Sequence, residues 1–137
     1  MDSDQAFDTS ISRLIWTGIV PSKVNVLAWR IILDRVQTKE NLKKRSIIAN
    51  GGDEKCVLCD GAVETNNHLF FSCPIAYKVW GLCFNWVGLS AVFPMDAFCH
   101  LQQHLGWVHG KRKKKVWLVV WFATVWNIWV TRNRKVF

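Results

Sequence analysis

The sequence predicts a mainly α-helical small domain carrying a short β-hairpin knuckle, and three observations carry that expectation. Apolar residues recur at helical spacing in several separate segments. A nearly continuous apolar stretch, Val116 to Val130, reads as one helix. Cys56, Cys59, His68 and Cys73 follow one another as C-x2-C-x8-H-x4-C, a pattern that can staple a hairpin to a helix. The chain has 137 residues, half of them apolar and nine of them tryptophan. That is one domain's worth of chain, with enough apolar surface for a core and more indole than ordinary usage supplies.

Taken in order, Met1 to Ser10 is polar and reads as a loose arm (1–13), and Ile11 to Trp16 as a short helix or turn. Pro21-Ser22 opens the first strong helix. Val24, Leu27, Ala28, Ile31 and Ile32 then recur at i, i+3, i+4, i+7 and i+8, and Trp29, Leu33 and Val36 widen that stripe over residues 22–36. Thr38 caps a second short helix through Arg45, and Asn50-Gly51-Gly52 makes a loop. The cysteine hairpin follows, with Thr65 capping a short turn that carries His68. Pro74 to Val87 is the next helix. Residues 88–93 carry no clear period, Met95 to Leu105 reads helical, and the tryptophan-rich helix closes the chain. The expected division is an arm at 1–13, a cysteine-and-histidine domain at 14–87 and a helical extension at 88–137.

The chemistry of the four spaced residues supports metal ligation. Lys55-Cys56-Val57-Leu58-Cys59-Asp60-Gly61 places two apolar residues inside a tight loop, and Asp60-Gly61 turns the backbone after the second sulfur. Cys73 precedes Pro74, so it falls at a helix N-cap, where the positive end of the helix favours a thiolate. Three sulfurs and one imidazole suit Zn2+, which has no d-electron geometric preference, and four protein ligands leave no open position. Glu64 or a backbone carbonyl is a candidate to accept the second imidazole N–H. The competing reading is a set of buried free cysteines with one satisfied histidine; a thioredoxin-like redox pair would need a βαβ pattern that is not there.

Other residues read differently. Cys83 falls with Val79, Trp80, Trp86 and Val87 on the apolar side of the Pro74 helix and reads as core. Cys99, His100 and His104, with His109 further on, could form a second metal cluster, but the spacing supplies no convincing fourth ligand. Five cysteines, an odd number, and no signal peptide argue against a secreted disulfide framework and for the nucleus or cytoplasm. Val116 to Val130 rises only about 22 Å as a helix, short of a bilayer's roughly 30 Å core, so no membrane span is expected.

Net charge is +8 by formal count. The basic residues cluster: Lys39, Lys43, Lys44 and Arg45; the run Lys111, Arg112, Lys113, Lys114 and Lys115; and Arg132 with Arg134 near the end. Such clusters are the electrostatic footprint of phosphate contact with RNA or DNA, and a solvated helix face is the alternative. Exposed tryptophans could stack on unpaired bases; core packing is their other use.

The succession Ile15-Trp16, Val20-Pro21-Ser22-Lys23-Val24, Ala28-Trp29-Arg30, Thr38-Lys39-Glu40-Asn41-Leu42, Cys56-Val57-Leu58-Cys59, Glu64-Thr65, His68-Leu69-Phe70-Phe71, Cys73 and Val79-Trp80 resembles the zinc-binding region of reverse transcriptases from plant LINE-type (non-LTR) retroelements. The ending Trp126-Asn127-Ile128-Trp129 with Arg132-Asn133-Arg134 is similar to the segment that follows it there. The resemblance implies that Cys56, Cys59, His68 and Cys73 ligate zinc, in a region lying downstream of a polymerase domain and contacting nucleic acid.

The polymerase signature of two adjacent aspartates is absent, as are a Gly-rich phosphate loop, a G-x-S-x-G elbow and four carboxylates suited to ribonuclease H chemistry. The expectation is therefore a non-catalytic, retroelement-derived zinc module that touches nucleic acid through its basic clusters. Two alternatives stand beside it: a module that docks the parent polymerase or another protein through residues 116–130, and a relic without selected activity.

Overall fold

In the computed structural model, which describes residues 13, 15–16, 18–47, 52–88, 97–102 and 111–136, helix α1 spans Ser22–Ile32 and starts where Pro21-Ser22 predicts. Its inner face is Val24, Asn25, Leu27, Ala28 and Ile31. The helix stops four residues short of the apolar stripe read from the sequence. Asp34 takes a left-handed φ of 54°, and the Arg35 N–H closes back on the Arg30 carbonyl at 2.7 Å, which ends the helical ladder. Val36 is still buried, because the chain turns back over the same core.

Helix α2 (Lys39–Lys44) is capped as expected: the Thr38 hydroxyl accepts the Asn41 N–H at 3.3 Å. The buried Asn41 amide donates to the Val36 carbonyl at 2.8 Å and to the Asp34 carboxylate at 3.1 Å, joining α2 to the turn that ends α1. The predicted hairpin is reduced to a single antiparallel bridge, Lys55 with Val63. Cys56 N–H to Ala62 C=O at 2.7 Å and Glu64 N–H to Glu54 C=O at 2.8 Å hold its two limbs together. A one-turn π-helix, His68–Ser72, follows and leads into α3 (Pro74–Val87), which has proline in its first turn and ends on Gly88 at φ 72°. Helices α4 (Ala97–Gln102) and α5 (Lys111–Val136) complete the described elements.

One core runs through both halves of the chain. Helix α5 packs on α1, on α3 and on the π-turn, so Trp117, Trp121, Phe122, Val125 and Ile128 share an interior with Ile31, Phe70 and Trp80. Burying an indole leaves an N–H that must be satisfied, and each fully buried tryptophan finds an acceptor. Trp80 donates to the Phe70 carbonyl at 2.7 Å, Trp117 to the Leu101 carbonyl at 2.7 Å, and Trp121 to His100 Nδ1 at 3.0 Å. His100 therefore presents Nδ1 as an acceptor inside an aromatic cage, 4.4 Å from the Trp80 ring and 4.7 Å from the Phe71 ring. The tryptophan-rich helix is thus a core element, and no helix among the described residues is long and apolar enough to cross a membrane. Asn127, in its middle, is exposed and bonds the Ala123 carbonyl at 2.7 Å.

Helix α3 departs from the sequence reading in its phase. Its buried stripe is Ala76, Trp80 and Phe84, spaced at i+4, while Cys83 is half-buried at the flank with its sulfur 3.5 Å from the Thr124 hydroxyl. Trp86, expected on the apolar side, points outward and is 80% exposed. The expected arm (residues 1–13), the loop at Asn50-Gly51, the 88–93 segment beyond Gly88, and His104 and His109 lie outside the described residues apart from Arg13.

The two indoles of α3 should respond oppositely to truncation. Trp80→Ala is expected to lower stability by about 3–5 kcal/mol, the usual result of emptying a packed aromatic site, whereas Trp86→Ala should change it by less than about 0.5 kcal/mol. Urea unfolding followed by circular dichroism measures both, and equal effects would contradict this assignment of inner and outer faces.

Candidate metal centre

Two local structures aim the four ligating side chains at one point. In the knuckle, Asp60 adopts a left-handed φ of 55°, a conformation aspartate tolerates better than most residues. Its N–H returns to the Cys56 carbonyl at 2.8 Å, and the Gly61 N–H points at Cys59 Sγ at 3.4 Å. On the other side the x4 spacing between His68 and Cys73 is one turn of π-helix. The Cys73 N–H bonds the His68 carbonyl at 2.7 Å, so residues five apart stand one above the other on a single face. The Thr65 hydroxyl accepts the His68 N–H at 3.0 Å, the expected cap. The same turn sends Leu69, Phe70 and Phe71 into the core, so packing and ligand placement are one event.

The ligand atoms of Cys56, Cys59, His68 and Cys73 all lie within 4.8 Å of one another. His68 Nε2 stands 3.2 Å from Cys59 Sγ, and the Cys56 and Cys73 sulfurs are 4.0 Å apart. A tetrahedral ion with metal–sulfur bonds near 2.3 Å and a metal–nitrogen bond near 2.0 Å needs edges of roughly 3.5–3.8 Å, so the donor set approximates such a tetrahedron and would close on the ion with movements of about 1 Å or less. All five cysteines are free thiols. Burial pushes the Cys56 thiol up to about 12. Burial also acts on Cys59, but donation from the Gly61 N–H and from the neighbouring thiols of Cys73 and Cys56 outweighs it and brings that thiol below its ordinary value. Burial lowers the His68 imidazole, against an opposing pull from Glu64. An imidazole held neutral is the form that ligates a cation.

Glu64 does not accept a hydrogen bond from His68, the role considered for it from sequence. Its fully buried carboxylate is used elsewhere: Oε2 accepts the Val57 N–H of the knuckle at 3.0 Å, and Oε1 accepts the Lys39 N–H at 3.1 Å. Its counter-ion is Arg132, 68 residues away on α5, whose guanidinium donates to Oε1 at 2.7 and 3.2 Å and lies over the Trp129 ring at 5.0 Å. An intact buried pair adds little net stability, but removing one partner strands the other charge, at a cost of about 3–5 kcal/mol. No local spacing announces a partnership at such separation. The sequence signal at Glu64 is only that a carboxylate stands between the two pairs of candidate ligands.

The basic candidates separate sharply. Arg132, expected on a phosphate-binding surface, is a correction: it is buried and ion-paired, with no face for a phosphate. Lys39 and Lys43 pair with Asp53 and Glu54 of the adjoining loop, and Lys44 with Glu40 one turn back in the same helix, so that cluster is largely neutralised. Arg45, Arg112, Lys113, Lys114, Lys115 and Arg134 are exposed, and among the described residues none has a carboxylate partner. The structure describes the backbone but not the side chain of Lys111. Cys99 is exposed while His100 is fully buried, so the second cluster suggested by sequence is split between surface and core.

The profile of a protein family described as zinc-binding in reverse transcriptase matches residues 3–80, more than half of the chain. An Arabidopsis thaliana protein named "Putative ribonuclease H protein" is 24% identical over 128 residues, which is 93% of this chain and 20% of that protein. The chain thus spans about a fifth of the length of this relative. No solved structure matches.

The titrating ligands make the metal-free chain sensitive to pH on both sides. Below the ordinary imidazole value of 6.5 the unfolded chain binds a proton that folded His68 resists, so stability falls as pH drops. Above the ordinary thiol value of 9.0 the unfolded chain releases a proton that folded Cys56 keeps up to about 12, so stability falls as pH rises. Urea midpoints of reduced, metal-stripped protein should therefore peak between the two ordinary values, 6.5 and 9.0, and a midpoint independent of pH would contradict the assignment.

Proposed function

The chain belongs to the family of zinc-binding segments of reverse transcriptases, and from that premise we propose that it is a non-catalytic, retroelement-derived module, pinned by one structural zinc ion, that contacts nucleic acid through its unpaired basic side chains. The observation that carries this reading is the compact set of three thiols and one imidazole. When bound, zinc would be filled by these four ligands and would hold no water for hydrolysis. Cys56 and Cys59 present the knuckle, His68 and Cys73 present the π-turn, and together they tie the hairpin to the start of α3.

Contact with nucleic acid is assigned to the cations that no carboxylate neutralises among the described residues. Arg112 to Lys115 extend along the first turns of α5, with Arg45 and Arg134 elsewhere on the surface. The exposed indoles of Trp16 and Trp86 offer faces on which unpaired bases can stack. A second reading is favoured by one feature. Between α3 and α5 lies a groove of about 670 Å³, lined by Trp86, Val116, Val119, Val120 and Ala123 with Arg112 and Lys115 at its rim. Its apolar lining suits an apolar segment of a partner, for which a retroelement polyprotein is the candidate source. For either role the proposed location is the nucleus or cytoplasm.

Purified protein is expected to carry about one zinc per chain by elemental analysis, and His68→Ala or Cys59→Ala should lose the metal and unfold at a lower urea midpoint than the zinc-bound wild type. Affinity for single-stranded RNA or DNA should fall steeply with salt. Replacing Arg112, Lys113, Lys114 and Lys115 with Gln should flatten the log–log salt slope by up to about 3, while Lys39→Gln leaves it nearly unchanged. Binding indifferent to salt, together with capture of polyprotein fragments that survives nuclease and is lost in Val119→Asp, would replace the nucleic-acid reading with the docking one.

A further inference from the structure

We propose that Arg132 is a positioning residue for the metal centre, acting through Glu64, so that metal binding and docking of the C-terminal end of α5 are thermodynamically linked. The inference rests on the zinc reading above. It extends the metal-binding unit well past residue 80, where the family match ends, to include α5.

The connection is continuous and short. Arg132 Nε and Nη2 donate to Glu64 Oε1, while Glu64 Oε2 accepts the N–H of Val57, the residue next to ligand Cys56. Glu64 also belongs to the returning limb of the hairpin, through its own N–H to the Glu54 carbonyl, and its Oε1 accepts the first N–H of α2. One carboxylate thus braces the knuckle, the hairpin's far limb and α2. It is fully buried, and the nearby Lys39 ammonium is engaged with Asp53, leaving Arg132 as the cation in contact with it among the described residues. Without that guanidinium the buried charge of Glu64 is stranded and turns toward water, which weakens the acceptor that holds Val57 and so loosens the backbone presenting Cys56. Linkage requires the converse: an ion that fixes the knuckle fixes Glu64, and Glu64 then retains the end of α5.

The test uses the full chain with Co2+ as a spectroscopic probe and Zn2+ in chelator competition. Arg132→Gln should weaken metal affinity about 10–100-fold and alter the visible spectrum of bound Co2+, with helical content retained. Arg132→Lys should recover part of the affinity. Glu64→Gln combined with Arg132→Gln should recover most of it, because an uncharged amide oxygen can still accept the Val57 N–H and no buried charge is stranded. Should Arg132→Gln fail to fold, hydrogen exchange of the wild-type chain decides: adding metal should slow the amides of residues 128–134, and unchanged exchange there overturns the proposal. A folded Arg132→Gln chain with wild-type affinity and spectrum also overturns it. A wild-type chain that takes up no metal overturns the zinc reading and this inference with it.

Discussion

A carboxylate with no access to water must be neutralised within the protein, and Glu64 imposes that requirement on the rest of this chain. Two of its acceptor sites go to backbone N–H groups, of Lys39 and Val57, that would otherwise be stranded at the base of the hairpin. Its charge is answered by Arg132, whose long side chain reaches the carboxylate only if α5 lies across the hairpin and the π-turn. The direction of α5 is therefore fixed twice, by the packing of Trp117, Trp121 and Phe122 along its length and by one ion pair near its end. A lysine point charge could supply the sign but not the paired donation that the planar guanidinium makes to Oε1.

Around that brace the ligands are arranged by backbone economy. A five-residue step places His68 and Cys73 on one face only if the turn between them is wider than an α-turn, and the π-turn supplies this width. An ordinary α-helical turn would put Cys73 about 140° further round the axis from His68, away from the other sulfurs. The π-turn also leaves the Phe70 carbonyl available to the Trp80 indole N–H, which ties the ligand-bearing turn to α3. Much of the aromatic density among the described residues is interior architecture, in which His100 accepts from Trp121 within a cage of rings, while Trp16 and Trp86 remain exposed.

Tertiary pairing also divides a single-looking chemical signal. The clusters of Lys and Arg look alike along the chain, yet one group lies opposite Glu40, Asp53 and Glu54, one residue is buried against Glu64, and the α5 run stands free of carboxylates among the described residues. A cation already paired would gain less from a phosphate than one facing solvent, so the α5 residues Arg112 to Lys115 are the ones proposed for such contact.

What the sequence determined by itself is everything governed by short-range spacing and chemistry: the helical class, the Pro21-Ser22 start of α1, the Thr38 and Thr65 caps, the turn at Asp60-Gly61, the start of α3 after Cys73 and the identity of the four clustered donors. These are legible because each is written within a few residues, where bond geometry and local hydrogen bonding decide the outcome. The outward phase of Trp86, the separation of Cys99 from His100 and the burial of Arg132 were decided only by the tertiary structure. Each depends on which distant surface arrives to cover a side chain, and periodicity marks a residue as apolar or charged without saying what it will meet. The Glu64–Arg132 pair shows this most plainly: its energy comes from exclusion of water, a property of the assembled core that neither residue carries alone.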